Sequence, residues 1–198
     1  MLRTFSLGRA YLGSGWAIHP LTGSLLKTSL ESVDRFSSVK VPQKIDIALK
    51  QVNQPYLLKA PLNIHPLSNF VNPDLNSKEI NLKNKFENLK LYKSLNFYLA
   101  LLYAGIPSIC YEDSREAFVS LNSFPIELTR DSCLEKCLTV AKCSASFRDK
   151  GVLFLGAHLP LQAMHAWIIE DDDQPDESDR QWINFLPLMA ITSSRFQD

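Results

Sequence analysis

The chain opens on alternating apolar and polar positions. Arg3-Thr-Phe5-Ser-Leu7 alternates, and Tyr11-Leu12 and Trp16-Ala-Ile18 flank Gly13-Ser14-Gly15, which predicts short strands joined as a hairpin. Pro20-Leu-Thr-Gly23 supplies a further turn. Leu25-Leu26, and then Ile45, Ile47, Ala48 and Val52, are spaced for short helices. Residues 60–85 combine Pro61, Pro66 and Pro73 with a run of Asn, Ser and Lys that lacks apolar periodicity, and read as a linker. Phe86, Leu89, Leu91, Leu95, Phe97, Tyr98, Leu101 and Leu102 predict a helix over 86–104, stopped by Gly105-Ile-Pro107.

A second helix is signalled at 132–146. Ser132-Cys-Leu-Glu135 has the spacing of a capping box, and Leu134, Cys137, Leu138 and Ala141 form an apolar stripe behind it. Three strand-like runs follow: Val152–Leu155, Met164–Ile169 and Gln181–Phe185. Between the last two, Glu170–Arg180 holds seven acids and a proline in eleven residues, which predicts an exposed hairpin loop. The coarse expectation is an α+β chain with a small sheet and helices first, and a helix followed by strands last.

Composition is that of a globular protein, with 45% hydrophobic and 21% charged residues, and 21 Lys+Arg balance 21 Asp+Glu. This balance argues against a simple nucleic-acid binder. It hides a polarity, because residues 1–100 carry 13 basic against 6 acidic side chains and residues 101–198 carry 8 against 15. The opening Met1–Ser6 lacks the apolar core of a signal peptide, and the apolar run Leu95–Ile109 is interrupted and too short for stable membrane insertion. The chain therefore reads as cytoplasmic. Its four cysteines, Cys110, Cys133, Cys137 and Cys143, show neither a CxxC pair nor the spacing of a disulfide framework.

Cys133 falls at the first turn of its predicted helix, where unpaired backbone N–H groups and the helix dipole stabilise a thiolate. His165 lies in a strand beginning some thirty residues later, in Met164-His-Ala-Trp167. A cysteine-bearing helix against a histidine-bearing strand is the working arrangement of papain-like and transglutaminase-like enzymes, in which imidazole takes the thiol proton and later protonates the leaving amine. Three other readings stay open. Cys133, Cys137, Cys143, His158 and His165 offer metal-ligating atoms, although without the tight cysteine pairs of a structural zinc site. A non-catalytic binding module and an amine-transferring transglutaminase fit the same pattern.

Arg130-Asp-Ser-Cys133-Leu-Glu-Lys-Cys-Leu138, Leu153-Phe-Leu-Gly156, His165-Ala-Trp167 and Gln181-Trp-Ile-Asn184 together resemble the B protein of lasso-peptide biosynthesis, over residues 128–191. The opening strands and Gly23-Ser-Leu-Leu-Lys27 are similar to that family's N-terminal part. The resemblance implies a winged-helix-like leader-recognition module over 1–75, a linker over 76–85, and a papain-like/transglutaminase-like cysteine protease domain over 86–198. It implies removal of the leader from a precursor peptide, without cofactor or metal. It also implies a partner, an ATP-using asparagine-synthetase-like lasso cyclase that receives the freed core amine. The implied catalytic residues are Cys133 and His165. The family's third residue is an Asp on the strand after the histidine strand, and Phe185 stands there in Asn184-Phe-Leu-Pro187. Asn184 in the papain manner, Asp179 folding back from the acidic loop, or a Cys133–His165 dyad are the remaining possibilities. A catalytically weak or inactive leader-binding protein of the same pathway is the alternative reading.

Overall fold

A computed structural model describes residues 1–37, 41–52, 76–124, 132–170 and 185–193. Helices and antiparallel strands are mixed, as the α+β expectation requires. Strands β1 (Leu2–Ser6), β2 (Arg9–Tyr11), β3 (Ser14–Ile18) and β4 (Leu25–Thr28) are followed by helices α1 (Leu30–Ser37), α2 (Gln43–Val52), α3 (Ser77–Leu95), α4 (Phe97–Gly105) and α5 (Ser114–Asn122). Helices α6 (Cys133–Cys143) and α7 (Ala145–Lys150) lead into β5 (Gly151–His158), a short 3-10 turn, β6 (Ala163–Glu170) and β7 (Leu186–Ser193).

The hairpin forms where predicted. Tyr11 pairs with Ser14 across a two-residue turn in which Leu12 and Gly13 have φ of 46° and 73°. Two left-handed residues in succession match the twist of the flanking strands. Leu25-Leu26 lies in strand β4 rather than a helix, because Leu25 and Leu26 pair with Ile18 and Ala17 and complete the sheet β2-β3-β4. The bare Cα of Gly15 lets Val33 of α1 settle onto that sheet.

The larger sheet has the order β1-β7-β5-β6 and is antiparallel throughout. Its strand β1 comes from the N-terminal part of the chain and β7 from the C-terminal part. One face packs on α3–α6 through Leu82, Phe86, Leu138, Leu153, Ile168 and Ile191. The other face packs on α2 through Ile45, Ala48, Val152, Phe154, Trp167 and Ala190. Residues 1–75 thus supply both a strand and a helix to the core of the C-terminal sheet. Pro187, the second residue of β7, pairs with Gly156 of β5 and lies beyond the β1 pairing, which ends at Met189, so it occupies a strand end where a residue without an N–H is tolerated. A register shift opposite Leu155/Gly156 accommodates it.

Residues 76–85 are not a linker. Asn76 accepts from the Glu79 amide at 3.0 Å while the Glu79 carboxylate accepts from the Asn76 amide at 2.9 Å, a complete capping box that opens α3. Leu82, Phe86 and Leu89 then form a fully buried stripe at helical spacing. Only one of these three lies before residue 85, which is why the polar stretch hides the helix start. The expected 86–104 helix is also two helices. Asn96, extended at φ −168° and ψ 136°, ends α3 and caps α4 by accepting from the Tyr98 amide at 2.7 Å. Helix α4 stops at Gly105, as predicted. No described helix is long and apolar enough to cross a membrane.

Two buried cations hold the end of α4. The Arg148 guanidinium donates to the carbonyls of Ala104 at 2.6 Å and Gly105 at 3.3 Å. The Lys142 ammonium donates to those of Tyr103 at 2.8 Å and Ile106 at 2.6 Å and stands 4.1 Å from the Tyr103 ring centroid. Burial lowers the pKa of Lys142, since desolvation disfavours the charged form.

Candidate active site

Cys133 is the first residue of α6, as the sequence predicts, and is half-buried. Its neighbours Cys137 and Cys143 face the core with 3% and 0% exposure, which removes both as candidate nucleophiles. The expected capping box does not form. Ser132 has φ −118° and ψ 33°, outside the extended region a capping residue needs, and makes no side-chain capping bond. Glu135 is drawn to the Lys93 ammonium of α3 at 2.9 Å instead. A cross-helix charge partner outcompetes a neutral local donor.

His165 lies near the start of β6, and α6 packs against this strand. The two elements are aligned at their far ends. Ser144, just past α6, is hydrogen-bonded to the Ser114 hydroxyl at 2.9 Å, and Ser114 donates its proton to the carboxylate of Glu170, the last residue of β6. Eleven helical residues span about 16 Å. The five strand steps from Glu170 back to His165 span about 17 Å. Cys133 and His165 therefore each lie about 16–17 Å along their own element from this serine–carboxylate cluster.

Their side chains leave the sheet differently. Ala166 and Ile168 join the core beneath α6, whereas Trp167 and Ile169 join the opposite core. Strand alternation puts His165 with Trp167, and the two rings are stacked with centroids 6.1 Å apart. The imidazole thus stands on the Trp167 and Phe185 face of the sheet, whereas Cys133 packs against the core on the opposite face, so the structure does not bring the two side chains together.

Phe185 lies against the imidazole, with ring centroids 5.1 Å apart, and also touches the His158 ring edge-on at 6.1 Å. The residue at the expected Asp position thus does stand beside His165 and gives it an apolar ring face. Asn184 and Asp179 lie outside the described residues, as do the first four residues of the expected strand 181–185. Phe185 itself immediately precedes β7.

Gly156 pairs with His165 across the β5–β6 ladder. A Cβ there would come within 2.7 Å of both the Trp167 ring and the Leu186 carbonyl. Gly156→Ala is therefore expected to push Trp167 off its seat, at a cost of about 1–3 kcal/mol, with a changed near-UV circular dichroism signal.

Glu170 departs from the expected exposed loop. It is 3% exposed and accepts hydrogen bonds from Ser114 and, at 3.3 Å, from Ser146. Burial raises its pKa above 4.5, and the Asp113 charge adds to this. A carboxyl with a raised folded pKa contributes stability that is fully present below its unfolded value and is lost as pH rises through the folded value. Glu170→Gln should then match the parent in urea melts near pH 4 and exceed it at pH 7. Nothing in the local sequence marked this acid, because it heads a run of acids.

Among the described residues, no group of three or more His, Cys, Asp or Glu side chains is placed to hold a metal ion, so Cys133, Cys137, Cys143, His158 and His165 do not assemble as one. No protein-family model, curated protein or solved structure matches this chain.

Proposed function

We propose that this chain is a cysteine peptidase that removes the leader from a lasso-peptide precursor. The freed core amine then passes to an ATP-using, asparagine-synthetase-like cyclase. The observation that supports the reading is Cys133, half-buried at the first turn of α6, on a helix that packs against the strand carrying His165. The reaction requires the imidazole to swing round the β6 edge from the Trp167 face. In the proposed reaction the Cys133 sulfur attacks the carbonyl at the leader–core junction. Backbone N–H groups of the first turn of α6 receive the oxyanion, since a helix start leaves them without intrahelical partners. His165 takes the thiol proton, returns it to the leaving amine, and then activates the water that frees the acyl group. The leader would bind as an added strand on the N-terminal sheet β2-β3-β4. Incubating the protein with a precursor carrying its leader, and following leader loss by mass, tests this directly. Persistence of intact precursor bound to the protein would overturn it.

One observation favours a second reading, a catalytically weak leader-binding protein. Phe185 against His165 offers no acceptor for an imidazole N–H, so it can neither fix the tautomer nor stabilise the imidazolium. Phe185→Asp should raise cleavage by about tenfold or more if this ring fills the orienting position. Asn184→Ala should lower cleavage by about tenfold if the amide performs that task instead. Loss on Asp179→Ala alone would assign it to the acidic loop.

A further inference from the structure

A pair of thiols lies at the opposite end of α6 from Cys133. Cys143 closes that helix, and Cys110 sits between α4 and α5. The backbone clamps the two together. The amides of Cys110 and Tyr111 both donate to the Cys143 carbonyl, at 2.9 and 3.1 Å, and the Ala145 amide donates to the Tyr111 carbonyl at 3.0 Å. Tyr111 and Ser144 form a parallel bridge beside the cysteines. The two thiols are hydrogen-bonded to each other, with Cys110 half-buried and Cys143 fully buried. Neither belongs to the candidate peptidase site.

We propose that Cys110 and Cys143 are a redox-active dithiol, oxidised by a hydroperoxide to a reversible disulfide. The two cysteines are suited to different roles. The hydrogen bond from Cys143, together with the charges of Lys85 and Lys78, holds the Cys110 thiol down to about 7, so that much of it is thiolate at neutral pH. The same hydrogen bond and its burial push the Cys143 thiol up. Cys110 is the attacking sulfur and Cys143 the resolving one. The Cys110 thiolate attacks the terminal oxygen of the hydroperoxide and takes its OH group to become a sulfenic acid. The O–O bond breaks and expels alkoxide, or hydroxide from hydrogen peroxide, which picks up a proton from solvent to leave as an alcohol or water. The Cys143 sulfur then attacks the Cys110 sulfur. The S–O bond breaks, the Cys143 proton leaves with the departing hydroxyl as water, and an S–S bond forms. The backbone clamp already holds the residues side by side, so closure requires little chain movement.

The test uses the full chain carrying Cys133→Ser, which removes the other partly exposed thiol from competition. One equivalent of hydrogen peroxide should remove two hydrogens from the intact mass and yield a Cys110–Cys143 cross-linked peptide in a non-reducing digest, both reversed by dithiothreitol. Adding Cys110→Ser should abolish the cross-link. Adding Cys143→Ser should instead leave Cys110 as a sulfenic acid captured by dimedone. If the Cys143 variant does not fold, the digest of the parent and the Cys110 variant decides alone. A Cys110 that stays reduced, a cross-link to Cys137, or direct over-oxidation of Cys110 without a cross-link would overturn the proposal.

Discussion

Cys133→Ala is expected to lower leader removal by about 10³-fold or more, leaving precursor affinity within about twofold. No other described cysteine can substitute. Cys137 and Cys143 are sealed in the core, and Cys110 lies beyond the far end of α6. The alanine removes one sulfur from a half-buried helix start, so the fold should survive it. Mass spectrometry of precursor cleavage, with a parallel binding titration, separates loss of chemistry from loss of recognition. An equal loss in a folded Cys137→Ala protein would show the assignment of Cys133 as nucleophile to be wrong.

Arg148→Met carries the largest expected cost to stability, about 3–5 kcal/mol. The guanidinium is 2% exposed and donates to two carbonyls at the end of α4, which would be left buried without those donors. In a domain of this size that corresponds to a fall in Tm of about 10 °C. Arg148→Lys should recover only part of the loss, because an ammonium is a point donor and cannot reproduce the planar fork. Thermal melts of the three proteins, read by far-UV circular dichroism, make the comparison.

Local patterns were legible where the physics was local. The β2–β3 hairpin followed from a turn that needs left-handed residues, and the end of α4 from Gly105 and Pro107. Val152–Leu155 and Met164–Ile169 appear within β5 and β6, and Cys133 heads a helix as its spacing suggested. Phe185 stands against the His165 ring. Other features depended on partners far along the chain. Nothing near Leu2–Ser6 announces that this strand pairs with Leu186–Ser193, and that pairing, with α2 beneath the same sheet, ties the N-terminal part to the C-terminal core. Dividing the chain after residue 75 would separate β1 from β7. The polar start of α3 became helix because Leu82 found a core to enter.

The amino-acid sequence by itself determined which residues carry reactive groups and which short segments prefer strand, turn or helix. Those preferences arise from neighbours within a few positions. Tertiary structure alone decided that Glu135 would turn to Lys93, that Glu170 would be buried under serine hydroxyls, and that His165 would stand on the Trp167 side of its strand. Each is a choice between a local partner or water and a distant side chain. Its outcome depends on burial and charge, which exist only once the elements have packed.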